Sequence, residues 1–457
     1  MTRKGVVLLA LVVVVVLVKA DQIASNWLEE AQKEGNQGQV WAVLVAGSSG
    51  WYNYRHQADV CHAYQILHSH GIPDDHIIVM MYDDIANNEQ NPTPGKIINR
   101  PNGPNVYEGI IKDYTGEDVT PENFLKVLAG DKEGLSGVGS GKVLESGPHD
   151  RVFINMVDHG APGIFAFPNE YLNATDLSNA ILDLHNKKKY HQLVMYVESC
   201  ESGSLFQNLL LDDIEVYALS ASSPDQHSYA CYMDEDLMTY LGDVFSVKWM
   251  EDTDVENLHQ ETLKYQYNLV RHEVTTSTVM HWGELRLGGQ KLSRFLGNVQ
   301  PHIPPPRPTY SPSREDDPCL SSAIASPDVP IGIFKAQRMQ AKTPSAKQYW
   351  TEQLEALRMN RLFMKVVMWK LVAEVTGDRN QASQLTNTHH HHNITRWPCY
   401  TESVRAFHDN CFNLAKNPYA TRLLTSLVNL CEHGYESESV RAATTAVCVH
   451  SEFSPVL

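Results

Sequence analysis

A three-layer α/β domain with a mostly parallel sheet, followed by a small all-α domain, is the fold class the sequence predicts, and three observations carry it. Apolar β-branched runs alternate with amphipathic stretches from residue 40 to residue 297. Residues 298–330 hold nine of the chain's 23 prolines, the composition of an extended linker. Beyond them Leu354, Leu357, Met364, Val367 and Leu371 recur at helical spacing.

Taken in order, Met1 to Lys4 is basic and Val6 to Val18 is an unbroken run of 13 apolar residues. Spanning a bilayer takes about 20, so residues 1–20 read as a signal peptide, and no other stretch is expected to cross a membrane. A secretory route permits disulfides. Residues 21–39 are polar and read as a short N-terminal propeptide. Val40 to Ala46 is the first buried strand, Gln57 to His70 an amphipathic helix, and Ile77 to Met81 the second strand. Strand, helix, strand implies parallel pairing with a right-handed crossover. Residues 83–118, rich in Asn, Pro and Gly, read as a surface excursion. Thr120 is expected to cap a helix opened by Pro121. Strands over Arg151 to Val157, Leu193 to Val197 and Asp213 to Leu219, with helices over residues 175–188 and 255–271, continue the alternation. In the tail, residues 343–375, 400–417, 418–432 and 436–450 read as helices.

Two of these strands end in reactive side chains. The run through Val197 delivers Glu198-Ser199-Cys200-Glu201-Ser202-Gly203-Ser204, and the run through Val157 delivers Asp158-His159-Gly160. Residues just beyond neighbouring parallel strands meet at one sheet edge. His159 would then serve as base to a Cys200 nucleophile, with a following helix N-terminus favouring the thiolate. Gly160 leaves room for a substrate backbone, and its N–H, with that of Cys200, would form an oxyanion hole. Alone, a buried cysteine is more often an inert small hydrophobe. The pair favours a cysteine hydrolase. Neither Gly47 to Gly50 nor Gly137 to Lys142 has the spacing of a phosphate loop, and no cofactor is expected.

The formal net charge of -17 argues against nucleic acid as a partner. Its distribution is uneven: residues 326–457 hold 14 Lys plus Arg against 11 Asp plus Glu, while residues 1–325 hold 23 against 43. An acidic first part would attract a mildly basic second part. Cys399, Cys411, Cys431 and Cys448 in the tail allow three pairings. Cys61 and Cys231 read as buried free thiols and Cys319 as an unpaired reactive one. His389 to His392 cannot all face one ion, and no metal site is expected. Asn173-Ala174-Thr175 and Asn393-Ile394-Thr395 fit the glycosylation pattern.

These residues also carry a family resemblance. Gly50-Trp51-Tyr52-Asn53-Tyr54-Arg55-His56-Gln57-Ala58-Asp59, Met80-Met81-Tyr82-Asp83-Asp84, Asp158-His159-Gly160, Glu198-Ser199-Cys200-Glu201-Ser202-Gly203 and Ser228-Tyr229-Ala230-Cys231-Tyr232 resemble the legumain family of asparaginyl endopeptidases, and the C-terminal segment resembles its prodomain. The resemblance implies a caspase-like catalytic domain over residues 40–297, and an activation segment with a helical prodomain over residues 331–457. It implies a zymogen of a lysosome or vacuole-like compartment, or one secreted as proenzyme, cutting protein and peptide substrates after Asn and, in acid, more weakly after Asp. It adds Asn53 to Cys200 and His159, because a side-chain amide orients an imidazole. It assigns Arg55, His56, Glu198, Ser228 and Asp243 to the recognition pocket, and pairs Cys399 with Cys431 and Cys411 with Cys448. Its own prodomain and cystatin-type inhibitors are implied as partners. Peptide ligation at the same site, or a silent protein-binding relative, is the alternative. The stretch from Phe334 to Thr351 contains no asparagine where an activation cut is implied. The cut is therefore expected after Asp316, Asp317 or Asp328, or by another protease, with Asn360 a less accessible option.

Overall fold

The computed structural model describes residues 38–299, 317–387 and 393–448. The signal peptide, residues 21–37, Asp316 and His389 to His392 lie outside them. In chain order the strands are β1 (Val40–Ala46), β2 (Ile77–Met80), β3 (Arg151–Val157), β4 (Gly160–Ala161), β5 (Ile164–Ala166), β6 (Tyr171–Asn173), β7 (Gln192–Glu198), β8 (Val216–Ser220), β9 (Tyr229–Asp234), β10 (Thr239–Asp243), β11 (Met280–Gly283) and β12 (Ile324–Ala325). The main sheet runs β2, β1, β3, β7, β8, β11, parallel throughout except for the antiparallel edge strand β11.

β1 shows why the domain has three layers. Ala42, Leu44 and Ala46 pack against Tyr54, Tyr64 and Trp249 on one face, while Trp41, Val43 and Val45 pack against Phe124 and Leu177 on the other. Alternate side chains of a strand point to opposite faces, so a run that is apolar throughout is one buried on both. The order reverses at β1, which has β2 on one side and β3 on the other, and a crevice opens there at the carboxyl ends. Register aligns those ends: Ala46 pairs with Val157, and Val157 with Glu198. His159 and Cys200 each lie two residues past a paired position and so reach the same edge.

Thr120 caps helix Pro121–Ala129 by accepting from the Asn123 N–H, as the sequence predicts. The helix expected over residues 255–271 starts later, as Leu263–Glu273, and an unanticipated helix, Val244–Val255, precedes it. The Thr262 hydroxyl accepts from the Tyr265 N–H and opens Leu263–Glu273, a capping signal that competes with the apolar periodicity. No α-helix follows Cys200; a single turn of 3-10 helix, Ser202–Leu205, does.

The linker ends sooner than its composition suggests. From Asp317 onward the chain is folded onto the α/β body: Pro318–Ser321 is helical and β12 pairs antiparallel with β9, Ile324 opposite Ala230. Cys231 and Cys319 are not free thiols but a disulfide, with Cα atoms 4.9 Å apart. Lone cysteines 88 residues apart gave no spacing signal; the pairing of β12 with β9 is what brings them together. Cys61 is a buried free thiol. In the tail, Thr343 caps the 33-residue helix Pro344–Thr376, against which shorter helices pack. Disulfides Cys399–Cys431 and Cys411–Cys448 staple them, each worth roughly 3 to 4 kcal/mol in the chain-entropy account.

The tail sits on the α/β body through Ala161 and Ile164, which join its apolar core, and through the Tyr400 hydroxyl, which donates to the Pro162 carbonyl at 2.6 Å. Its cations reach a different target from the one bulk charge suggests. Arg361 and Arg422 both pair with Asp328, in the segment that crosses the crevice, at 2.5 and 3.6 Å.

Candidate active site

Asn53 ends a 3-10 turn between β1 and helix Tyr54–Ser69, and this places it, Arg55 and His56 at the crevice. Its amide nitrogen donates to the Ser49 carbonyl at 2.9 Å, which leaves Oδ1 to accept from His159 Nε2 at 2.8 Å. That bond puts the His159 proton on Nε2 and bares Nδ1 as the basic nitrogen. Burial, and then the nearby positive charge of Arg55, hold the His159 pKa well below 6.5 and so favour the neutral ring.

Cys200 is buried, its Sγ 3.6 Å from the Ser228 hydroxyl. A Cβ on Gly160 would stand 2.2 Å from the Cys200 carbonyl oxygen, so only glycine lets the two strand-end loops approach this closely. The hydrogen bonds of His159 run to Asn53 and Ser326 rather than to Cys200. The imidazole beside the sulfur is that of His227, whose ring, with the Glu201 carboxylate, lies within 4.8 Å of Sγ.

Arg55 is the hub of the neighbouring pocket. Fully buried, it gives Nε to Asp243 at 2.9 Å, Nη1 to the Tyr52 carbonyl at 3.1 Å and Nη2 to the Ser326 hydroxyl at 2.7 Å. His56 Nδ1 is 2.6 Å from the Ser48 hydroxyl and 3.1 Å from Asp158. Glu198 Oε2 accepts from the Ser246 N–H and hydroxyl at 2.8 and 3.1 Å, while its Oε1 has no hydrogen-bond partner. Burial, joined by repulsion from Asp243, raises the pKa of Glu198 and of Asp59; burial raises those of Asp158 and Asp243. Asp59 was not anticipated from the sequence; its position one helical turn past Arg55 was the available signal.

Ser326 was missed as well, because a proline-rich composition hid it. Its hydroxyl lies 2.7 Å from Arg55 Nη2 and 3.5 Å from His159 Nδ1, so the segment after β12 lies directly over the base. A cavity of about 410 Å³ beside it is lined by Asn53, His159, Pro327 and, from the tail, Arg361 and Tyr419. Of the two glycosylation candidates, Asn393 is exposed, and Asn173 is half-buried with its amide on Asp176 at 3.1 Å.

A strand-end cysteine and an amide-oriented histidine at one edge of a parallel sheet are the arrangement of a cysteine hydrolase. The chain belongs to the peptidase C13 family, whose profile matches residues 40–298, and the legumain prodomain profile matches residues 352–448. It is a cysteine endopeptidase with its prodomain attached. It is 48% identical to the legumain of Rattus norvegicus over 417 residues, 90% of this chain and 93% of that protein. It is 46% identical to that of Homo sapiens over the same length and shares. The vacuolar-processing enzyme of Citrus sinensis is 38% identical over 437 residues, 92% of this chain and 86% of that protein. A solved caspase-1 chain from Spodoptera frugiperda matches with a TM-score of 0.34 and 10% identity, over 58% of this chain and 93% of that one. Among the described residues no helix is long and apolar enough to cross a membrane.

Proposed function

We propose that this enzyme cuts proteins on the carboxyl side of asparagine, and of aspartate more weakly in acid, and that it is made as a zymogen for an acidic lysosome or vacuole-like compartment. Cys200 attacks the scissile carbonyl, His159 moves the proton through Nδ1, Asn53 orients the ring, and the backbone N–H groups at Gly160 and Cys200 receive the oxyanion.

The observation that carries the reading is the seat of Ser326. The preceding residues Ile324 and Ala325 add a strand to β9, as an extended peptide substrate would, and Ser326 then projects onto Arg55. In a substrate the longer asparagine side chain takes that place, its carbonyl accepting from Arg55 and its amide donating to Glu198 Oε1 and Asp243. Both ends of the side chain are then satisfied, which is what strict selection requires. Aspartate fits once Glu198 is protonated, and burial of that carboxyl favours the protonated form.

The test is a fluorogenic peptide ending in Asn, offered to the acid-treated protein and to Cys200→Ser. Cleavage by the first alone is the expected result; equal signals from both would remove Cys200 from the chemistry. Abundant cuts after Lys, Leu or Gly in a profiled peptide mixture would defeat the pocket.

A further inference from the structure

The mechanism leaves one charged pair at the nucleophile unused. His227 Nδ1 lies 3.0 Å from Glu201 Oε1, and both side chains are largely buried beside Cys200 Sγ. Two features build this arrangement. Glu201 holds a φ of 50°, in the left-handed region that a residue with a side chain rarely adopts. Its N–H donates to the Gln226 carbonyl at 2.7 Å, which ties the cysteine loop to the loop bearing His227.

Resting on Cys200 as the nucleophile, we propose that His227, held by Glu201, is the catalytic partner that takes the Cys200 thiol proton, leaving His159 neutral to work as the base toward water. The step is a proton transfer: the proton leaves Sγ for the His227 imidazole, giving a thiolate beside an imidazolium; the same proton then passes to the leaving amine, and neutral His159 takes one from the water that frees the acyl group. His159 is poorly suited to that task. Burial and Arg55 both disfavour its charged form, and its ring is engaged by Asn53 and Ser326. His227 is the reverse case: burial alone would lower its pKa, but the Cys200 sulfur and the Glu201 carboxylate outweigh it and hold it at about 10. Of the other titratable groups nearby, Asp225 accepts from the Ser223 hydroxyl, and Tyr400 of the tail, which faces Glu201, departs with the cap.

The experiment follows alkylation of Cys200 by iodoacetamide in the acid-processed enzyme from pH 4.5 to 8.5, read peptide by peptide in a mass spectrometer with buried Cys61 as internal control. His227→Gln is expected to slow labelling at pH 5.5 by about tenfold, one pH unit of ionisation, while leaving the rate at pH 8.5 within about twofold. His227→Lys restores a cation and should recover most of the loss. His159→Ala should abolish cleavage yet leave the acid labelling profile in place. If His159→Ala slows labelling at pH 5.5 and His227→Gln does not, the thiolate partner is His159 and the proposal falls. Should His227→Gln fail to fold, Glu201→Gln decides: a smaller shift in the same direction supports the pair, and an unchanged profile overturns it. Wild-type enzyme that labels no faster at Cys200 than at Cys61 and cleaves nothing would instead remove the nucleophile assignment itself.

Discussion

Asn53 Oδ1 accepts from His159 Nε2 at 2.8 Å, and because the Asn53 amide nitrogen is already committed to the Ser49 carbonyl, the contact has only one sense. The imidazole is thus locked with Nδ1 facing the crevice. Asn53→Ala frees the ring to rotate, so kcat is expected to fall on the order of 10²-fold with KM little changed. Steady-state kinetics on the Asn peptide checks this; a loss confined to KM would move Asn53 into the substrate pocket instead.

In the proposed reading Arg55 receives substrate as well as neutralising the buried Asp243. Arg55→Ala is expected to lower kcat/KM for the Asn peptide by roughly 10²-fold or more. It also strands Asp243 and Glu198 without that cation, and breaking a buried pair this way costs about 3 to 5 kcal/mol. Denaturant unfolding of the Cys200→Ser background with and without Arg55→Ala separates the two roles. Unchanged stability would mean that those carboxyls are already neutral.

Stability should rise on acidification once the cap is gone. Asp59, Asp158, Glu198, Asp243 and Glu251 all have pKa values raised above the ordinary range, chiefly by burial. Between an unfolded value of about 4 and each raised value the folded state binds more protons than the unfolded one, so stability grows as pH falls through that window. His56 and His159, held low, oppose this below about 6.5, but the carboxyls outnumber them. The processed enzyme is expected to keep activity longer, and to melt higher, at pH 5.5 than at pH 7.5; the opposite order would sink this account.

Arg361 clasps the crossing segment at two points, Asp328 Oδ1 and the Pro327 carbonyl, each at 2.5 Å, while its guanidinium lies 4.4 Å from the Tyr419 ring centroid. Arg361→Ala should loosen the cap and shorten the half-time of acid processing on the order of tenfold, the worth of hydrogen bonds to a charged group. Intact mass against time at pH 5.5 measures it. Of the cuts expected from the sequence, Asp317 is held by Lys248 at 2.6 Å, Asp328 by the two arginines, and Asn360 lies inside a helix. Unchanged kinetics in Arg361→Ala would show that release of Asp328 is not limiting.

Much of the fold was legible because its strands are apolar on both faces, a local property that periodicity reads directly, and because Thr120 and Thr343 announce their helices by capping. The shared edge of His159 and Cys200 followed from parallel topology alone. Asn53, Arg55 and Asp243 had no comparable local signal, since they converge from the 3-10 turn after β1, from helix Tyr54–Ser69 and from β10; only the resemblance brought them forward. What stayed hidden was long-range. Ser326 is a serine in a proline-rich stretch until β12 pairs with β9, and Cys319 is a lone thiol until the same pairing brings it to Cys231. The start of helix Leu263–Glu273 was readable from the Thr262 cap.

The Cys231–Cys319 bond ties the segment that lies over Arg55 to the α/β body. Cleavage on both sides of residues 317–328 would ordinarily free that segment to diffuse away, but here it stays bonded to β9, with Ser326 within reach of Arg55. A short tether holds its ligand at an effective concentration in the millimolar range, so rebinding competes with substrate however far the solution is diluted. Chain cutting and loss of the segment are therefore separable, and the tether is expected to lower the rate of the processed enzyme without abolishing it, so that a thiol reductant should raise it. Non-reducing mass spectrometry of the processed protein should find the segment attached, and mild reduction should raise the initial rate where dilution does not.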